Sequence, residues 1–392
     1  MSQPRILHVI GSLETGGAER VLCNLLARMD PTRAEYRVVS LIPGGSLREP
    51  ITQLGIPLRS AGMRRGVPNP VGLWRLIKLI GQDRPDLVVT WMYHANILGG
   101  IAAAACRVPV IWNIRDSGGT ASHFKPATRL VSWAGRVCSS HLPRQIVFVS
   151  KTGREQHLRE GYNIDRSVVI PNGFDTAVFR PSGEARRALR QALGAPENAI
   201  LVGLLARVHP DKDHQNFVRA AGIVHPLMPH VQFLLCGEGA SADNRDLTGW
   251  IRAAGLGHAV RLLGRRSDMP RIAASLDLLI SASSSEAFPN VVGEAMSCGV
   301  PCVVTDVGDS AYLVGTTGRV VPRRDADRLA AEILKLLQLP QHRLSALGQS
   351  ARRRICELFS IDTIAPQHEQ LWLATAGRPS GQTVRERRRR AA

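Results

Sequence analysis

Acidic residues are scarce in this 392-residue sequence: 32 Asp and Glu stand against 50 Lys and Arg, a formal charge of +18 at pH 7. That imbalance calls for an anionic partner, whether nucleic acid, an acidic membrane surface or a phosphorylated small molecule. Aromatic residues make up only 5%. With so few rings and no recognised RNA- or DNA-binding motif, there is no obvious platform for base stacking, and nucleic acid becomes the weakest of the three partners. The seven cysteines (Cys23, Cys106, Cys138, Cys236, Cys298, Cys302 and Cys356) are odd in number and include no Cys-x-x-Cys pair, which argues against a disulfide framework and a zinc site. Cys298 and Cys302 flank Gly299-Val300-Pro301 with no histidine nearby, the pattern of packed core thiols. Long apolar runs are missing as well. The opening MSQPRILHVIGS has neither a basic n-region nor an adequate h-region, so no secretory leader is expected. The most membrane-like stretch, Ile97 to Cys106, is about half the length that spans a bilayer. A cytoplasmic protein without a transmembrane helix is the expectation.

What is present suffices to build cores. Hydrophobic residues at 44% and charged residues at 21% are ordinary for a folded chain, and about 150 residues per domain suggests two domains. Apolar runs recur at Arg5–Ile10, Tyr36–Leu41, Leu87–Thr90, Val110–Trp112, Gln145–Val149 and Val168–Ile170, alternating with helical patterns such as Ala18–Arg28, Pro70–Gln82 and Ile97–Cys106. Such alternation fits a parallel sheet covered on both faces. After Pro171-Asn172-Gly173, the stretch Asp175–Asn198, with Pro181, Gly183, Gly194 and Pro196, reads as a linker with one short helix. A second strand set then follows at Ile200–Leu205, Val231–Cys236, Arg261–Leu263, Leu278–Ile280, Cys302–Thr305 and Arg319–Val321. The predicted fold class is α/β: two tandem Rossmann-like domains facing a central cleft. Their expected limits are 1–178 and 179–360, followed by a C-terminal helix at 361–376 and a basic tail at 377–392 that reads as disordered.

Four segments carry candidate chemistry. Gly16-Gly17, ahead of Ala18-Glu19-Arg20, opens the first helix; it matches neither G-x-G-x-x-G nor a P-loop, and reads either as a tight turn or as backbone donors for an anion. Arg207 and Lys212 leave the first strand of the second domain, where two cations could neutralise a pyrophosphate or sit as solvated surface charge. Gly237, in Cys236-Gly-Glu-Gly239, ends the next strand. The richest segment runs from Ser283 to Pro301: Glu286 follows a strand, Asn290 is placed to cap a helix, and Glu294 lies about one turn inside it. Carboxylates flanking the backbone amides of Ala287 to Val291 suit a ligand with both hydroxyls and phosphate; a structural capping role for Glu294 is the plainer alternative, but the segment is too specialised for that to be its sole explanation.

The spacing from Glu286 to Glu294 resembles the E-x7-E motif of retaining family-4 glycosyltransferases, which have the glycosyltransferase-B fold. The resemblance extends over nearly the whole chain: Gly16 to Arg20, Ile170 to Gly173, Arg207 with Lys212, Gly237 to Gly239, Leu263-Gly264 and Ala295 to Pro301 stand in the family's order. It implies a nucleotide-sugar co-substrate, UDP- or GDP-linked, with no cofactor and no metal. Arg207 and Lys212 would grip the diphosphate, Glu294 the ribose and Glu286 the transferred sugar. Ala287, Phe288, Pro289, Asn290 and Val291 would lie beside the sugar and distal phosphate (Pro289 giving no N–H), Gly16 and Gly17 against that phosphate, and Arg265 near the base. Front-side attack, assisted by the leaving phosphate, would make both glutamates binding groups, unlike the paired carboxylates of glycosidases. Where many relatives carry a histidine, this sequence has Arg115, in Trp112-Asn113-Ile114-Arg115-Asp116; His94 is a second acceptor-side candidate, or a histidine satisfied at a strand end.

The resemblance thus implies transfer to a lipid-linked or growing glycan, probed against two alternatives: a basic nucleic-acid-binding protein, or another enzyme of the same fold such as an epimerase or phosphorylase relative. The charge is then divided. Arg378 to Ala392 holds six Arg against one Glu, and with Arg59, Arg64 and Arg65 it reads as attraction to anionic lipids on the inner face of the cytoplasmic membrane.

Overall fold

The computed structural model describes residues 3–14, 16–64, 70–118, 126–163, 165–196 and 199–377. Arg65 and the tail beyond Gly377 lie outside them. The chain divides into two compact units, one made of Met1–Gly173 with the chain from Ile361 onward, the other of Phe174–Ser360.

Unit 1 runs β1 (Arg5–Ile10), α1 (Gly17–Leu26), β2 (Glu35–Ser40), α2 (Arg48–Gln53), β3 (Leu58–Ser60), α3 (Pro70–Asp83), β4 (Leu87–Trp91), α4 (Met92–Ala105), β5 (Val110–Ile114), α5 (Pro126–Ser139), β6 (Gln145–Phe148), α6 (Lys151–Arg159) and β7 (Ser167–Val169). All seven strands are parallel, in the order β3-β2-β1-β4-β5-β6-β7. Every residue of β4 and β5 is buried, which is why Leu87-Val-Val and Val110-Ile-Trp read as unbroken apolar runs: helices cover both faces.

Unit 2 runs α7 (Gly183–Ala192), β8 (Ile200–Leu205), α8 (His214–Val224), β9 (Val231–Cys236), α9 (Arg245–Ala253), β10 (Val260–Gly264), α10 (Met269–Ser275), β11 (Leu278–Ser281), α11 (Asn290–Ser297), β12 (Cys302–Thr305), α12 (Ser310–Val314), β13 (Arg319–Val321), α13 (Ala326–Leu337) and α14 (Gln341–Leu358). Its parallel sheet has the order β10-β9-β8-β11-β12-β13. In both sheets the winding reverses beside the first strand, between β1 and β4 and between β8 and β11. Loops leaving those two strands part in opposite directions, so a crevice opens at their carboxyl ends. Side-chain caps start several helices: Ser182 accepts from Ala185 N, Asn244 from Leu247 N and Asp325 from Arg328 N.

The last helix, α15 (Ile361–Ala376), was expected to stand apart. Instead its Ile361, Ile364, Ala365 and Trp372 are buried in the unit 1 core with Ile6, Leu22 and Trp91. Glu369 pairs with Arg33 and accepts from the Tyr36 hydroxyl at 3.1 Å. The boundary therefore falls at Gly173, not 178, and the chain returns to unit 1 after Ser360. In the basic stretch of unit 1, Arg59 approaches the buried Asp83 carboxylate at 3.3 Å and shares it with Arg37, so only Arg64 of the described pair is an unbalanced exposed charge. No helix among the described residues is long and apolar enough to cross a membrane.

Buried histidines set a pH dependence, with His8 and His214 as examples. Burial lowers His8 to about 3, where its Nδ1 accepts from Trp91 Nε1 at 3.3 Å, and lowers His214 to about 4. Both folded values lie below the unfolded one. Between about pH 6.5 and 4 the unfolded chain therefore takes up protons that the native state refuses, and stability present above that window is lost as pH falls. The expected loss from His214 alone is about 2 kcal/mol on going from pH 7.5 to 5. Urea unfolding of unit 2 at both values should show it, and His214→Gln should flatten the difference; an equal slope in the variant would contradict it.

Candidate active site

The unit 2 switch point is built from two loops. The first leaves β8 at Leu205. Val208 N donates to Glu238 O at 2.7 Å, which fixes its start. His209 then begins a 3-10 turn over Pro210–Lys212, its Nδ1 accepting from Asp211 N at 3.3 Å. Asp213 sits in the left-handed region at φ 45 and its carboxylate accepts from Asn216 N at 3.2 Å, so one residue both ends the turn and caps α8. This sequence of turn, left-handed residue and cap holds Lys212 at the rim.

The second loop leaves β11 at Ser281. Ser284 N donates to Asp211 O at 2.8 Å and stitches the two loops together. Glu286 then pairs through Oε1 with Lys212 Nζ, and the same oxygen accepts from Ser283 Oγ at 2.8 Å. The two charged side chains are only 26% and 12% exposed. An ion pair so shielded is rigid because breaking it would strand a charge out of water. Thr305 Oγ1 donates to Ser283 O at 2.6 Å and Asp309 N to Ala287 O at 3.0 Å. Gly308, at φ 55, has no Cβ where one would run into the Glu286 carbonyl.

Ala287, Phe288 and Pro289 are buried. The Phe288 ring stacks on Phe174 with centroids 6.2 Å apart and meets Phe359 at 5.8 Å, while Gly293 of α11 leaves the room that the Phe174 ring fills. Anchored by that ring, the chain enters α11 through Pro289. Asn290 is the first helical residue and not the cap expected of it; no side chain caps this helix. The amides of Ala287 and Phe288 donate to no acceptor among the described residues. Val291 lies in the first turn, and Glu294 follows half-buried, adding its charge to the burial that pushes the Cys298 thiol up to about 12. Unaccepted amides at a helix N-terminus beside a lysine can hold an anion, and the adjoining carboxylate can accept from hydroxyls.

Around this centre the remaining unit 2 candidates are spread along one edge. Arg207 is exposed, with no ion pair among the described residues. Gly237, at φ 153, donates from N to Gly264 O at 2.9 Å, and a Cβ there would strike the Ala206 carbonyl. Arg265 follows β10 and is exposed. The ends of β8, β9 and β10 are thus tied at one rim.

In unit 1, Gly16 precedes α1 with extended backbone, φ −136, and the Glu19 carboxylate folds over the place of its missing Cβ; Gly17 is exposed. A neighbour that sequence reading passed over lies after β2: Gly45, at φ 106, packs on the Leu13 backbone, and Leu47 N donates to Leu13 O at 2.9 Å. The signal for it was Pro43-Gly44-Gly45. His94 is exposed near the start of α4, after Met92 at φ 69. Arg115, expected to reach a sugar or acceptor, turns inward: Nη2 donates to Asn172 Oδ1, the guanidinium lies 5.3 Å from the Trp91 ring, and Nε and Nη1 are buried without partners. Burial pulls its pKa down to about 9.

Gly308→Ala forces both a left-handed alanine and a collision with Glu286, so it should cost unit 2 about 2 kcal/mol or more; an unchanged melting curve would contradict the packing. Arg115→Met should leave melting unchanged or raised, since no carboxylate compensates the buried cation among the described residues; a fall of several degrees would show the guanidinium to be a stabilising element.

Residues 15–178 match the family model described as "Glycosyltransferase Family 4", and residues 199–339 that described as "Glycosyl transferases group 1". Among curated proteins, the Escherichia coli UDP-Gal:alpha-D-GlcNAc-diphosphoundecaprenol alpha-1,3-galactosyltransferase is 24% identical over 308 residues, 77% of this chain and 78% of that protein. The putative glycosyltransferase EpsF of Bacillus subtilis is 25% identical over 312 residues, 78% of this chain and 80% of its own. Among solved structures, Anabaena Alr3699/HepE in complex with UDP-glucose aligns with a TM-score of 0.81 at 24% identity, over 94% of this chain and 99% of that one. WaaG, a glycosyltransferase involved in lipopolysaccharide biosynthesis, aligns at 0.73 and 15% identity over 94% and 99%. Parallel sheets wound about a central switch point in both units, a polar clasp at the second, and two adjoining family matches agree: the chain belongs to the family-4 glycosyltransferases and has the glycosyltransferase-B fold.

Proposed function

We propose that this glycosyltransferase is retaining and takes its sugar from a nucleotide-sugar, with a UDP-sugar the first choice and a GDP-sugar the second. The acceptor is a hydroxyl of a lipid-linked or growing glycan in cell-surface polysaccharide assembly, and the protein works peripherally at the inner face of the cytoplasmic membrane. The observation that carries the reading is the Lys212–Glu286–Ser283 clasp beside the unaccepted amides of Ala287 and Phe288. Its relatives support it: one is a UDP-Gal:alpha-D-GlcNAc-diphosphoundecaprenol alpha-1,3-galactosyltransferase, and another was solved with UDP-glucose.

In this reading Lys212 and the exposed Arg207 face the diphosphate. As the glycosidic bond breaks, negative charge grows on the leaving phosphate, and a cation already fixed in a shielded site stabilises it without reorganising. Glu286 is committed to Lys212 and Ser283, which makes it an orienting acceptor for sugar hydroxyls and a poor nucleophile. Glu294 takes the ribose, Arg265 and the Gly264 edge the base, and Gly237 allows close approach of the backbone. The amides of Ala287, Phe288, Asn290 and Val291 serve the sugar and distal phosphate. Gly16 and Gly17 offer a further set of backbone donors suited to phosphate. Asp116, Tyr93 and His157 form a buried group in unit 1, with the Tyr93 hydroxyl 2.7 Å from His157 Nε2; it buttresses the β5 loop that carries Arg115.

Turnover with UDP- and GDP-sugars, read together with product configuration by NMR, tests this. Lys212→Ala should lower kcat by about 10²–10³, and the product should keep the donor's anomeric configuration. Inversion would overturn the retaining mechanism. Isomerised donor without transfer would favour an epimerase of the same fold.

A further inference from the structure

Three neighbouring helices of unit 1 present a surface that the catalytic reading leaves unused. On α5, Leu130, Trp133 and Val137 recur at i, i+3 and i+7 and are 65%, 54% and 57% exposed. On α3, Val71 and Trp74 are 55% and 59% exposed. Both helices pack against α4, which adds Ile101. Apolar stripes at helical spacing normally face a core; these face outward.

The charges on this surface have one sign. The three 14-residue helices contain a single acidic residue, Asp83, which is buried and paired with Arg37. Exposed beside the apolar residues are Arg75 and Lys78, with Lys78 Nζ 5.4 Å from the centre of the Trp74 ring. Tryptophan favours the boundary between hydrocarbon and water, and long cationic side chains can lie along it with their charges toward lipid headgroups. A second copy of the chain fits poorly. A two-fold interface sets each patch against itself, and here it would oppose cation to cation with no exposed carboxylate on these helices to answer.

We infer that unit 1 docks on an anionic bilayer through the outward face of α3, α4 and α5, with Trp74 and Trp133 seated in the interface and Arg75 and Lys78 on the headgroups. The inference deepens the lipid-linked acceptor reading by naming the surface that brings the enzyme to such an acceptor. It makes the helices interfacial elements that lie on the membrane without crossing it.

The test is vesicle co-sedimentation of the full-length chain, without donor or acceptor, on phosphatidylcholine vesicles with and without phosphatidylglycerol. Wild type should partition onto the anionic vesicles. Trp74→Ser/Trp133→Ser should weaken binding at least about tenfold, and Arg75→Glu/Lys78→Glu should remove the preference for the anionic lipid. Both side-chain pairs are exposed, so melting should be unchanged and is measured in parallel. Equal binding of wild type and the tryptophan variant would overturn the inference and leave the basic tail as the membrane contact. So would a concentration-dependent dimer that the same variant dissolves. Donor hydrolysis in solution, assayed separately, should be equal in wild type and both variants. Loss of vesicle binding with hydrolysis intact supports the docking surface, whereas failure of wild type to bind while it turns over donor sinks that surface and spares the catalytic reading.

Discussion

The ion pair between Lys212 and Glu286 is the interaction on which the rest of the unit 2 site depends. It joins two loops that leave adjacent strands and are already stitched together by the Ser284 N to Asp211 O bond, and it is shielded enough that neither partner is left free to wander. Around it the backbone is closely fitted. Asp213 turns left-handed to aim the lysine, Gly308 admits the Glu286 carbonyl, and the Phe174–Phe288–Phe359 stack holds the loop that leads into α11. The amides of Ala287 and Phe288 then donate to no acceptor among the described residues. A ligand with adjacent anionic and hydroxyl groups would engage all of these features at once.

The two units use the same topology differently. Both sheets reverse their winding beside the first strand, yet only the unit 2 reversal carries a charged clasp among the described residues. Near the unit 1 reversal, His8 and Arg115 are turned inward while His94 stays exposed. His8 is kept neutral by burial, and Arg115 is held against Trp91 and Asn172 beneath a C-terminal helix that contributes His368 and Trp372. Unit 1 also exposes rings and cations together on the face of α3 and α5. Division of labour between the units is thus written in where each buries its charge.

Much of this was legible in the residues because parallel strands covered on both faces must be apolar throughout, and Leu87-Val-Val or Leu201-Val-Gly-Leu-Leu can hardly be anything else. β3 was missed because a three-residue edge strand, Leu58-Arg-Ser, has no room for a pattern. The docking of α15 was hidden by distance in sequence and by Pro366 inside the helix. Within the site, Lys212 and Glu286 were each read as ligand residues, but their pairing across 74 positions was not, since no local signal encodes it. Asn290 looked like a cap by residue type; the ring of Phe288 decided otherwise. Arg115 was read as a sugar or acceptor contact because it stands where many relatives carry a histidine, whereas its rotamer is set by Trp91 and Asn172, both far from it in sequence.

The central claim is that the clasp splits its labour, Lys212 serving diphosphate and Glu286 serving the sugar. Calorimetric titration of the Glu286→Gln variant with UDP and with the matching UDP-sugar tests it most directly. Releasing Lys212 from its partner should leave UDP affinity unchanged or improved, while affinity for the UDP-sugar falls at least about tenfold, the loss of roughly one charge-assisted hydrogen-bond set. Equal losses for both ligands would make Glu286 a structural strut of the loop and contradict the account.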